Sequence, residues 1–141
     1  MRIMALDVGS KRIGVALSDP LKITAQGLQT FQRTVLEEDI KGLWQLIDEH
    51  EVSQLVVGLP KNMDGSIGFK AEEVQQFIAD LTAERKIEVI WIDERLTTVS
   101  AERVLLEADV SRAKRKKVID KMAAVVILQS YLDRLNRRAV K

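Results

Sequence analysis

The chain has 141 residues, 46% hydrophobic and 30% charged, which is enough apolar content for a packed core and too much for a disordered chain. It has no cysteine, which excludes disulfides and thiolate metal sites. The longest unbroken apolar run, "MAAVVIL" at 122–128, is far shorter than the roughly 20 residues a membrane helix needs, and the N-terminus lacks a signal-peptide pattern, so the chain reads as soluble and intracellular.

Residues 2–8 and 12–18 read as two strands joined by a short Gly9-Ser10-Lys11 turn, an antiparallel hairpin. A third strand is expected over 23–30, after Pro20. Residues 34–49 place Val35, Ile40, Leu43, Trp44, Leu46 and Ile47 at helical spacing. The run "SQLVVGL", 53–59, has the continuous apolar character of a buried parallel strand, and Pro60 ends it. After the loop "PKNMDGSIG", a helix near 68–85 puts Ala71, Val74, Phe77, Ile78 and Leu81 on one side. Residues 87–92, "IEVIWI", form another strand. Thr97 or Thr98 can cap a helix running to about 107, a basic linker follows, and a last helix covers about 116–136. Trp44 and Trp91 read as core residues, and His50 as a surface residue at a helix end.

The order β-β-β-α-β-α-β-α-α predicts one α/β domain over residues 1–141, a mixed five-stranded sheet flanked by helices. That is the layout of a ribonuclease H-like fold.

Three carboxylates sit in apolar settings. Asp7 shares a strand face with Ile3 and Ala5 by period-two alternation. Glu94 lies on the Ile90/Ile92 face of its strand, and Asp120 interrupts the last helix between "VI" and "KMAAVVIL". Singly, each is more readily a strand-end or helix-surface acid. Jointly, acids from the first strand, the last strand and the last helix can converge at one end of such a sheet. A buried carboxylate is costly unless paired or metal-bound. An all-oxygen site suits Mg²⁺ or Mn²⁺, and a pair of such ions suits phosphodiester hydrolysis without a nucleophilic Ser or Cys.

The net charge of +1 hides an asymmetry. Residues 111–141 carry ten Lys/Arg and two Asp, a net of +8, whereas residues 1–110 carry a net of −7. The densest part, "SRAKRKK", contains Arg112, Lys114, Arg115, Lys116 and Lys117, which can contact phosphates without reading bases. No aromatic is interleaved there to stack on bases. Lys11 and Arg12 after the first turn, Lys61 in the loop after Pro60, and Arg95 beside Glu94 complete the candidate nucleic-acid-binding set. That loop leaves the C-terminal end of a parallel strand, the usual ligand edge, although by composition it reads as a plain connection. Ala123 and Ala124, one turn after Asp120, either admit a metal or phosphate or let the helix pack tightly on the sheet.

"ALDVGSKRIGVALSD", "VVGLPKNMDGS", "DERLTT" and "KKVIDKMAAVVILQSYL" resemble, in order and over nearly the whole chain, the signature blocks of the YqgF family, also called RuvX. Holliday junction resolution and 5′ maturation of pre-16S ribosomal RNA have both been assigned to that family. The resemblance implies a ribonuclease H-like fold, a cytoplasmic protein and a divalent-metal nuclease, with catalytic and metal-binding roles on Asp7, Glu94 and Asp120. The expected function is therefore an endonuclease processing the 5′ end of pre-16S rRNA. The alternatives are a junction resolvase, which needs two sites related by a two-fold axis, and a non-catalytic RNA-binding assembly factor. An ATP-binding domain of the actin and sugar-kinase type would share a related fold, but it needs a second domain to enclose the nucleotide. The expected partner is structured nucleic acid, a rRNA precursor or branched DNA, bound by a monomer or homodimer with no membrane association.

Overall fold

The computed structural model describes residues 2–94 and 112–139, with side chains for 2–94 and 122–137. Strands β1 (Arg2–Val8) and β2 (Arg12–Ser18) pair antiparallel, with Asp7 opposite Gly14. Strand β3 (Ala25–Gln32) adds antiparallel to β2. Helix α1 (Leu36–Glu49) leads to β4 (Val52–Leu59), which pairs parallel to β1. Helix α2 (Phe69–Leu81) leads to β5 (Glu88–Asp93), parallel to β4. The sheet order is β3-β2-β1-β4-β5, the mixed five-stranded sheet expected from the sequence. The last described element is α3 (Arg112–Ala139).

Period-two alternation sends each central strand's side chains into two different cores. On one face Met4, Leu6, Val15, Leu55 and Val57 pack against Leu43, Trp44 and Ile47 of α1 and Val74, Phe77 and Leu81 of α2. On the other, Ile3, Ala5, Ala16, Val56 and Ile92 meet Ala123, Ala124, Ile127, Leu128 and Leu132 of α3. The two alanines are fully buried in this second core, so close helix-on-sheet packing is what their size provides.

Most element boundaries differ from expectation by one or two residues, and three differences stand out. β3 starts at Ala25 because Ile23 and Thr24 donate their N–H groups to Asp19 Oδ1, at 2.7 and 2.9 Å, closing a loop. α2 stops at Leu81, where Thr82 turns its N–H and hydroxyl back onto the Ile78 carbonyl. The basic stretch after Ser111 is no linker but the first turns of α3, in keeping with the high helix propensity of Ala, Lys and Arg. The helix expected from Thr97 or Thr98 to about 107 lies outside the described residues. Trp44 is core as expected, its Nε1–H donating to the Leu81 carbonyl at 2.9 Å. Trp91 is not: on edge strand β5 it is 39% exposed. Among the described residues no helix is long and apolar enough to cross a membrane.

Candidate active site

Asp7 is the last α3-facing residue of β1, following Ile3 and Ala5 on that face. It is only 8% exposed, one of three buried polar or charged residues among those described. β1 ends one residue later because the chain reverses at Gly9, whose N–H donates to the Arg12 carbonyl at 2.8 Å. A Cβ on Gly9 would stand 2.8 Å from that same oxygen, so the turn requires glycine.

Glu94 follows directly on β5, two residues after Ile92, which pairs with Gly58 of β4. Its carboxylate lies over Gly58, where a Cβ would stand 2.7 Å from Glu94 Oε1. β4 thus separates the strands bearing the two acids, and its glycine leaves the space that Glu94 occupies. Asp7 and Glu94 line one cleft of about 290 Å³ at the C-terminal ends of β1, β4 and β5. Its rim is the Gly9-Ser10 turn on one side and Pro60 on the other.

Three further charged residues line the cleft. Lys70 and Glu73 come from the first turns of α2, and Arg33 from just past β3. Arg33 is held in place by its neighbours. Its Nε donates to Asp39 Oδ2 at 3.1 Å, its Nη1 to the Gly9 carbonyl at 2.8 Å, and its guanidinium lies 4.7 Å from the Phe77 ring centroid. Sequence reading missed these three. Lys70 and Glu73 carried a weak signal, as the first helical turns after a parallel strand at the ligand edge. Arg33, alone at the end of an edge strand, carried none.

The other expected site residues are placed less closely. Lys11 and Arg12 belong to the turn and strand start beside the cleft but are not among the residues that line it, and the same holds for Lys61. Arg95 lies outside the described residues. Arg112, Lys114, Arg115, Lys116, Lys117 and Asp120 all fall in the opening turns of α3, with side chains outside the described set. The loop after Pro60 is a built turn. Asn62 and Ser66 bond each other, Asp64 Oδ1 accepts from Ser66, and Gly65 takes φ 89°.

The anionic donors at the cleft are all carboxylate oxygens, Asp7, Glu94 and Glu73. Among the described residues neither imidazole nor sulfur lines it. Carboxylate oxygens suit a hard divalent cation and not zinc, but among the described residues no three acids stand close enough together to hold one ion. Lys70 places a positive charge in the lining, and Arg33 places N–H donors there.

The family described as RuvX, Holliday junction resolvase, matches residues 1–134. The chain belongs to the RuvX family. A relative from Moorella thermoacetica is 58% identical over 99% of this chain and 100% of its own length. One from Halalkalibacterium halodurans is 57% identical over 95% of this chain and 97% of its own length. Both bear the provisional name pre-16S rRNA nuclease. Among solved structures, RuvC of T. thermophilus in complex with a Holliday junction substrate superposes with a TM-score of 0.60 at 10% identity, covering 96% of both chains. The Fowlpox virus resolvase with junction DNA gives 0.55 at 13% identity, covering 96% of this chain and 99% of its own. At such identities these likenesses concern the fold, which the RuvX family therefore shares with RuvC-type, ribonuclease H-like resolvases.

Proposed function

We propose that residues 1–141 act as one nuclease domain, a divalent-metal-dependent endonuclease that cleaves the precursor of 16S rRNA at its 5′ end in the cytoplasm. The observation that carries this reading is the meeting of Asp7 and Glu94 in one cleft from strands far apart in the chain. The names of the full-length RuvX relatives support the substrate.

Asp7 and Glu94, joined by Asp120 from α3, would hold Mg²⁺ or Mn²⁺. When bound, such ions make a water nucleophilic at neutral pH and steady the leaving oxygen. The chain's own residues do the rest. The strand ends hold the carboxylates on rigid backbone, so little ordering is left to binding. Lys70 draws the phosphate backbone toward the cleft, and the narrow Gly9 turn lets it approach. The basic opening turns of α3, from Arg112 to Lys117, would contact phosphates flanking the cut, with Lys11, Arg12, Lys61 and Arg95 as further contacts.

The RuvX family description favours a second reading, resolution of four-way DNA junctions. The test is a cleavage assay with purified protein on precursor rRNA and on a synthetic four-way junction, with and without Mn²⁺ or Mg²⁺. Metal-dependent cutting of the RNA at its 5′ precursor supports the first reading. Paired symmetric cuts of the junction, made by a dimer, would replace it with the second.

A further inference from the structure

We propose that Arg33 is a phosphate-contacting residue of this cleft and that buried Asp39 is the residue that positions it. The proposal deepens the nuclease reading, on which it rests for the identity of the polyanion.

Asp39 is 2% exposed and sits in the first turn of α1. Its Oδ1 accepts the Thr34 N–H at 2.9 Å and its Oδ2 accepts Arg33 Nε–H at 3.1 Å. Arg33 is also tied by its own N–H to the Lys11 carbonyl at 3.0 Å, by Nη1 to the Gly9 carbonyl, and by its flat face to Phe77. The guanidinium is therefore pinned from α1, α2 and the β1–β2 turn. A guanidinium has five N–H donors, and these contacts use two. The other three have no partner among the described residues, and the side chain lines the cleft that holds Asp7 and Glu94.

A buried ion pair is at best a weak source of stability, so its retention calls for another reason. Here the pair is neutral as a whole and adds little long-range attraction. What it presents is a fixed set of N–H donors at the rim of an anion-sized cleft. A planar fork held in advance pays little entropy on binding phosphate and fits its oxygens in pairs. Lysine could keep the Asp39 contact or reach the cleft, but not both.

The test reads binding alone. A 2′-O-methyl RNA hairpin of the precursor's 5′ end, and a four-way DNA junction, each carry one neutral methylphosphonate, moved position by position. Wild type should lose affinity about tenfold or more at one or two phosphates, the size of a lost charge-assisted hydrogen bond. Arg33→Gln should bind every substituted probe alike at those positions, and Arg33→Lys should restore the sensitivity only in part. The double variant Arg33→Gln/Asp39→Asn, which leaves no buried charge unpaired, should match Arg33→Gln. Asp39→Asn alone should blunt the same positions and no others. An interference map unchanged by Arg33→Gln, or by the double variant if the single one does not fold, overturns the proposal, as does failure of wild type to bind either probe. If wild type binds with this map but cuts neither unmodified substrate, the nuclease reading fails and the Arg33 assignment stands.

Discussion

Glu94 occupies space that Gly58 leaves open: a methyl group on Gly58 would stand 2.7 Å from Glu94 Oε1 and 2.6 Å from Ile127 Cδ1. Neither contact can be kept. Both atoms are side-chain ends that can give way, so Gly58→Ala should displace the Glu94 carboxylate and crowd α3 at a stability cost of about 1 kcal/mol. Cleavage should fall further than stability explains. A thermal melt beside a single-turnover cleavage rate separates the two, and wild-type cleavage by a folded Gly58→Ala protein would deny Glu94 its role.

Asp7→Asn and Glu94→Gln keep shape and remove charge. Each should reduce cleavage to background while the circular dichroism spectrum stays native. Mn²⁺ at about a hundred times its Kd should stabilise wild type by about 2.7 kcal/mol, because the ion binds the folded chain only. Asp7→Asn should lose most of that shift. An equal metal-induced rise in Tm for both proteins would show that Asp7 is no ligand.

Neutralising Arg112, Lys114, Arg115, Lys116 and Lys117 together should weaken RNA binding at low salt and flatten its salt dependence. Each lost phosphate contact should reduce the log–log slope by about 0.7 to 0.9. Binding measured across a salt series checks this, and an unchanged slope would reduce these turns of α3 to a solvated helix face.

Asp19 offers a pH test far from the cleft. The Thr24 N–H, and then that of Ile23, hold its carboxyl below the usual aspartate range. A group with a lowered folded pKa adds stability that is present above its unfolded value, about 3.9, and is lost as pH falls through the folded value. Both N–H groups bond the same oxygen, so Asp19→Asn keeps the acceptor and loses only the charge. The Tm gap between wild type and Asp19→Asn should be constant from pH 7 down to about 5 and close below pH 4. A gap that persists at pH 2 would assign it to shape instead of charge.

The parts of the fold that were legible in the sequence are those with a strong period. β1, β2 and β4 alternate or run apolar between turn residues, and α1 and α2 bury one side each. Boundaries failed where a side chain overrode the pattern, as Asp19 does at the start of β3. Trp91 misled because hydrophobicity cannot tell an edge strand from a central one. In the site, Asp7 and Glu94 were legible as carboxylates within apolar strands. Arg33, Lys70 and Glu73 were not, because what makes them notable is a neighbour distant in the chain. Arg33 in particular acquires its meaning from Asp39, Gly9 and Phe77, which no spacing rule connects to it.

The position of β4 between β1 and β5 has a consequence for synthesis. The first hairpin and the β1–β4 pair can form as the chain emerges, but Glu94 arrives with the last strand, at the sheet's far edge. A nascent chain therefore carries Asp7 before Glu94 has been made. On the proposed reading, a chain stalled before β5 lacks Glu94 and leaves the RNA that surrounds it intact.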